Sequence, residues 1–256
     1  LTGDSLFGDS PKDIMIAYSN THVWDTTYSL VSDTLFYFSE LDSGSANGNA
    51  TLIQDKQTIK GDRIEYFEIP ESDGVSYAAR GNVSITEEGR LATCGEAIYD
   101  RENGKTTLRI KPKILDNNQT IAGSEIFLEY DEDVLKSLFI PSEAYATHPS
   151  TGIRQWTEIV DGDTLMFEDS LSFTDDMTGS ILRGFFTDGI MDSMRLEGMA
   201  TTLYHIFEDS VYQGKNESSG DTIIMNFADN DLQKIFVNGG SRGTYTPDST
   251  GADVDG

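Results

Sequence analysis

A single cysteine, Cys94, stands in 256 residues. Neither an internal disulfide nor a cysteine-based zinc site can form. Basic residues are also scarce, with 18 Lys and Arg against 44 Asp and Glu and a net charge of −26. Such a surface repels phosphates, which excludes nucleic acid as a partner, and it repels anionic membrane surfaces too. No apolar run approaches the roughly 20 residues of a membrane helix, so the chain is not expected to span a membrane itself. Helical periodicity is nearly missing, and the one candidate helix is the stretch Asp131 to Ser137. No signal peptide is visible, the first residue is Leu1 rather than Met, and the chain is expected to be a mature or excised piece of a longer protein.

Motifs for chemistry are missing in the same way. His22, His148 and His205 lie far apart, with no His or Cys neighbour at ligand spacing. No serine sits in a Gly-x-Ser-x-Gly elbow. Gly239, Gly240 and Gly243 lack the Lys-Ser/Thr ending of a phosphate loop and read as turn residues. Carboxylate pairs such as Asp175-Asp176 carry little information, because 44 acids make a chance pair nearly certain. Catalytic residues, metal ligands and cofactors are therefore expected to be none. Asp161-Gly162-Asp163 and Asp229-Asn230-Asp231 offer oxygen ligands for calcium, but neither completes an EF-hand loop. Four Asn-x-Ser/Thr sites, at Asn49, Asn82, Asn118 and Asn216, read as plain turn residues.

What is present is alternation. Short runs of apolar and polar residues in period two, such as Glu65 to Ile69 and Val75 to Ala79, are broken by Asn47-Gly48, Asp73-Gly74, Asn103-Gly104 and Asn238-Gly239. Aromatics at 10% exclude a disordered chain. A six-residue unit recurs: a small residue, an acidic or polar one, any residue, Leu or Ile, any residue, and a large apolar one. It fits Ser32 to Tyr37, Gly61 to Tyr66, Gly123 to Leu128, Gly162 to Phe167 and Gly220 to Met225, and fits Gly95 to Asp100 except at its last place. A second unit, apolar-x-apolar-x-Gly, ends at Gly81, Gly198 and Gly239. A spacing of about 30 residues holds two or three strands and their turns. One such unit cannot bury its apolar face, but stacked copies can. The expected fold is all-β: an elongated, repetitive β-jellyroll of short antiparallel strands spanning 14–246. Two halves, about 14–130 and 131–246, are an option, and 1–13 and 247–256 read as loose ends.

Thr58-Ile59-Lys60-Gly61-Asp62-Arg63-Ile64-Glu65-Tyr66, with Arg80-Gly81-Asn82-Val83-Ser84-Ile85 and Leu91 to Asp100, resembles the OstA/LptA family. The likeness is clearest over 45–130 and fainter over 195–246. It implies a jellyroll folded like a taco that holds lipid acyl chains between two walls and stacks head to tail with other OstA/Lpt-type modules by edge-strand pairing. It implies lipopolysaccharide or another acylated lipid as ligand, and the periplasm of a Gram-negative-type bacterium as location. Basic residues that could meet lipid phosphates are few and dispersed (Lys56, Lys60, Arg63, Arg80, Arg90), so acyl burial would have to supply the affinity.

The side chains expected to line the groove are Leu35, Tyr37, Leu52, Ile64, Tyr66, Tyr77, Val83, Ile85, Ile98, Ile126, Leu128, Leu165, Phe167, Leu196, Ile223, Met225, Ile235 and Val237. The same stripe would serve equally as the sealed core of a sandwich, and period two alone does not separate the two. The rival function is a structural or adhesive β-solenoid or sandwich of a cell-surface protein, binding calcium or glycan. An envelope hydrolase is disfavoured by the missing nucleophile–base pair.

Overall fold

The computed structural model describes residues 1–9, 13–68, 75–87, 89–116, 119–228 and 231–248. Asp73-Gly74 and Asp229-Asn230 lie outside these residues, as do Asn118 and most of the expected C-terminal loose end. The described residues form one sheet of nineteen strands, with no helix.

The first part is a meander of long antiparallel strands: β1 (Ser5–Asp9), β2 (Ile14–Trp24), β3 (Tyr28–Phe38), β4 (Ser43–Gln54), β5 (Gln57–Glu68), β6 (Val75–Glu87) and β7 (Arg90–Asp100). From β2 to β6 the strand register breaks at one place along each strand, around Ser19-Asn20, Ser32-Asp33, Gly48-Asn49, Gly61-Asp62 and Gly81-Asn82. These interruptions align from strand to strand and form a crease that folds the sheet into two walls. In one wall Leu35, Ala46, Ile64, Ala79, Ala97, Leu108 and Ile126 stand opposite each other in register. In the other, Leu30, Leu52 and Ile59 do the same. All ten side chains are fully buried where the inner faces meet.

The crease explains the repeat. On alternate strands it is built from a small residue and Asp or Ser, and on the strands between from residues with positive φ: Ser19-Asn20, Gly48-Asn49, Gly81-Asn82, Gly198-Met199 and Gly239-Gly240. The left-handed conformation suits Gly and Asn. The Asn amides donate across the crease, Asn20 to Asp4 at 2.9 Å, Asn49 to Asp33 at 2.9 Å and Asn82 to Asp62 at 3.0 Å. Later rungs close through the backbone: Gly95 N–H to Ile110 O, Ser124 N–H to Ser142 O, Ser180 N–H to Gly198 O and Asp221 N–H to Gly239 O.

Beyond β7 the crease is crossed by loops, and the walls continue as shorter strands. One wall adds β8 (Lys105–Arg109), β11 (Glu125–Asp131), β12 (Val134–Ile140) and β15 (Ile181–Thr187); the other adds β9 (Lys113–Asp116) and β10 (Gln119–Ala122). A long hairpin, β13 (Ala144–Val160) and β14 (Asp163–Gly179), follows β10. β16 (Ile190–Glu208) and β17 (Val211–Ala228) again run through both walls and carry β18 (Asp231–Asn238) and β19 (Arg242–Pro247) at the far end. Residues 131–194 thus continue the sheet.

The candidate helix at Asp131–Ser137 is the end of β11, a two-residue turn and the start of β12. Glu132 and Asp133 have φ of 49° and 63°, the geometry of a tight hairpin that a helix cannot contain. The N-terminal stretch expected to be loose contains β1, which pairs over its whole length with Ile14–Tyr18.

Candidate functional site

The space between the walls changes character along the sheet. In the first part it is closed. Leu35, Leu52, Ile64 and Tyr66 have no exposure, and Tyr77 and Val83 nearly none. Polar bonds tie the open rims of the walls together: Tyr28 Oη donates to Glu68 at 2.6 Å, the Val75 N–H to Gln54 Oε1 at 2.7 Å, and Arg101 to Asp55 at 3.0 Å. Burial and the Glu68 bond push the Tyr28 hydroxyl far above its ordinary pKa, so it remains a donor.

From β7 onward the walls part around a cavity of about 570 Å³. Ile85, Ala92, Ile114, Ile121 and Ala146 line it from one wall, and Leu128, Leu135, Leu138, Met194 and Met225 from the other. Residues from the tips of both walls line its rim: Glu87, Arg90 and Asp116 on one side, Gly189, Ile190 and Leu232 on the other. Arg90 and Asp116 form a half-exposed ion pair at 3.0 Å there. Tyr130 also lines the cavity, and burial pushes its hydroxyl up to about 12, so it stands there as a neutral group. The volume and mainly apolar lining are those of a site for a small or chain-like hydrophobic ligand.

Of the side chains expected along the groove, Tyr77, Ile85, Leu128 and Met225 line this cavity. Leu35, Leu52, Ile64, Tyr66, Val83, Ile126, Leu196 and Ile223 are buried in the continuous core, with Tyr37, Ile235 and Val237 packed against it. Three expectations need correction. Leu165 and Phe167 lie in the projecting part of the β13–β14 hairpin, where Leu165 is exposed, because Asp161-Gly162 is a hairpin tip rather than a crease. Ile98 points outward. The crease of β7 has one unpaired residue, Gly95, where β6 has two, Gly81 and Asn82. One residue fewer moves every later side chain to the other face, so Ala97 takes the inward place opposite Ala79.

Part of the cavity lining is not foreseen from the sequence pattern. Ala146, His148, Met177 and Tyr204 also line it, and the strand register sets His148 opposite Asp175. Asp175 is fully buried, and its Oδ1 accepts from the His205 N–H at 2.8 Å and bonds His205 Nδ1 at 2.6 Å. Burial pushes the Asp175 carboxyl above its ordinary range, while the His205 bonds pull it down. His148 Nδ1 bonds Gln119 at 2.7 Å. Only strand register brings two histidines 57 positions apart in sequence to one carboxylate, and no local motif announces it. His22, by contrast, bonds Ser29 at 2.8 Å and stacks on Trp24. Among the described residues no cluster of three or more His, Cys, Asp or Glu side chains is arranged to hold a metal.

The sheet has two open ends. Among the described residues β1 pairs only with β2, and β18 and β19 only with β17. Leu6 and Phe7 on β1, Phe236 on β18 and Tyr245 on β19 are exposed.

Residues 31–134 match the family model described as LptA/(LptD N-terminal domain) LPS transport protein. Among solved structures the chain is similar to LptH, the LptA homologous periplasmic component of the conserved lipopolysaccharide transport device from Pseudomonas aeruginosa. The identity is 11% and the TM-score 0.38, over 42% of this chain and 79% of that one. No curated protein matches the chain.

Proposed function

We propose that this chain, OstA/LptA-like in sequence and jellyroll in fold, is a periplasmic lipopolysaccharide-transport module that carries acyl chains in the cavity between its walls. The observation that carries the reading is the apolar cavity of about 570 Å³, lined from both walls and reached from their rims. Burying acyl methylenes there contributes about 0.8 kcal/mol each, so a few suffice for measurable affinity without any contact to the headgroup. The rim favours this division of labour. It carries Glu87 and an Arg90 already paired with Asp116, so phosphates stay in water.

The closed first part is a rigid end to the carrier, and the open β1 and β18/β19 edges are the places where other OstA/Lpt-type modules would add strands. Carriage requires no turnover, in keeping with a site built from apolar side chains rather than a nucleophile and base.

The test is binding of a fluorescent lipopolysaccharide analogue. Lipid A should displace it and the deacylated saccharide should not. Ile121→Asp, placing a charge in the lining, should weaken binding while the far-ultraviolet spectrum stays that of a β-sheet. If the folded Ile121→Asp protein binds as well as the unaltered one, or if the saccharide competes as well as lipid A, the carrier reading is wrong.

A further inference from the structure

The β13–β14 hairpin does not end where the sheet ends. β14 pairs with β16 only at Asp176–Thr178, and β13 pairs with β10 only at Tyr145–Thr147. Beyond them the ribbon touches the body through one bridge, Ile153 to Val211, and through Arg154, which binds Asp248 by two bonds at 2.8 and 3.1 Å. Phe173, His205, Phe207 and Tyr212 pack around its base, with Phe173–His205 and Phe173–Tyr212 ring centroids at 4.2 and 4.6 Å. The part from Gln155 to Asp169 stands free as a paired two-stranded arm, with Trp156 stacked on Phe167.

Without the anchors at its base a two-stranded ribbon of this kind would be marginal in water, and its surface is ill suited to remaining there. Ile159 and Met166 are each 70% exposed, and Val160 and Leu165 are exposed as well. The cross-strand register puts Ile159 and Met166 on one face as diagonal neighbours, with only Thr157 and Thr164 beside them. Around this apolar face the arm carries Glu158, Asp161, Asp163, Glu168 and Asp169 and no basic residue. Two acids flank its very tip, which opposes insertion into a bilayer. The fit is to a protein surface that is apolar at its centre and basic at its edge.

Such a surface exists on this chain. The outer face of β11, β12 and β15, turned away from the lipid cavity, holds a concavity of about 450 Å³ lined by Phe127, Phe139, Phe185, Lys105 and Arg183, with Glu129 at one side. Phe127 and Phe139 stack at 6.0 Å, the Arg183 guanidinium lies 4.3 Å over the Phe139 ring, and Phe185 is exposed. Lys105 pairs with Glu129 at 3.2 Å, so in a chain with 44 acids and 18 bases the unbalanced charge of this concavity is the cation Arg183.

We infer that the arm of one copy docks, by its Ile159–Met166 face, into the Phe127–Phe139–Phe185 concavity of a second copy. The arm is paired and anchored before contact, so little ordering cost opposes docking. The contact joins two different surfaces, so it propagates and builds open chains or rings rather than a closed symmetric dimer. It is independent of the lipid-carrier reading and uses neither the cavity nor the β1 and β18/β19 edges.

Sedimentation velocity of the whole chain tests it. The unaltered protein should form species beyond the dimer as concentration rises. Met166→Asp and Arg183→Glu, both in surface positions, should each weaken association at least about tenfold, as loss of a contact anchor does. An equimolar mixture of the two should recover a dimer and nothing larger, because the intact arm of the Arg183→Glu copy meets the intact concavity of the Met166→Asp copy. A monomeric unaltered protein, single variants that assemble unchanged, or a mixture that stays monomeric would each overturn the inference. Association lost only on altering the β1 edge would point to strand addition instead.

Discussion

The crease makes a quantitative prediction at Gly81. Its φ is +74°, and a Cβ built there would lie 2.9 Å from the Asp62 Cβ and closer still to the carboxylate. Gly81→Ala therefore incurs two costs. The left-handed backbone costs an L-residue about 1–2 kcal/mol. Displacing Asp62 breaks its bonds from the Asn82 amide, at 3.2 and 3.0 Å, and exposed bonds of this kind contribute about 1 kcal/mol together. The expected loss is about 2–3 kcal/mol. Gly162, at the hairpin tip, has φ +89° with no atom within 4 Å of its Cβ position. Gly162→Ala should show the backbone cost alone, about 1–2 kcal/mol. Urea unfolding, monitored by two probes to test for a single transition, measures both. In a double-mutant cycle, Gly81→Ala in an Asp62→Ala background should recover about 1 kcal/mol of coupling. Equal losses at Gly81 and Gly162, together with no coupling to Asp62, would show that the crease is not held by this contact.

Two further outcomes follow from buried titratable groups. Burial pushes the Cys94 thiol up to about 11; thiolate is then scarce at neutral pH, and alkylation in the folded state should be far slower than in urea, as a timed thiol assay would show. Burial raises the Asp175 carboxyl above its unfolded value, so its favourable contribution is complete below the ordinary carboxylate pKa and is lost as pH rises through the raised one. Asn at this position can keep an oxygen toward His205 without a charge. The stability of the unaltered protein relative to Asp175→Asn should therefore fall between acid and neutral pH, and a difference that rises over that range would contradict the assignment.

The repeat marks the positions of the crease but not its nature: Asn47-Gly48, which reads as a break between runs, lies inside β4, and Gly61-Asp62, which reads as the start of a strand, lies inside β5. The same letters at Asp161-Gly162-Asp163 make a hairpin tip instead, because Asp-Gly serves any tight turn with positive φ, and so Leu165 and Phe167 fell outside the groove. A single missing crease residue puts Ile98 on the outer face, since face depends on parity rather than on composition. Where the walls close and where they part was not legible at all. Ile64 and Leu128 belong to the same apolar stripe, yet one is sealed under bonds such as Tyr28–Glu68 and the other faces the cavity. That difference depends on contacts between residues 40 apart.

The most direct measurement is calorimetric titration with single-chain lipids of increasing acyl length and one constant headgroup. If the cavity takes the chain, each added methylene should tighten binding by about 0.8 kcal/mol, roughly fourfold, until the cavity is full, with a negative heat-capacity change throughout. Affinity that does not depend on chain length would contradict the account.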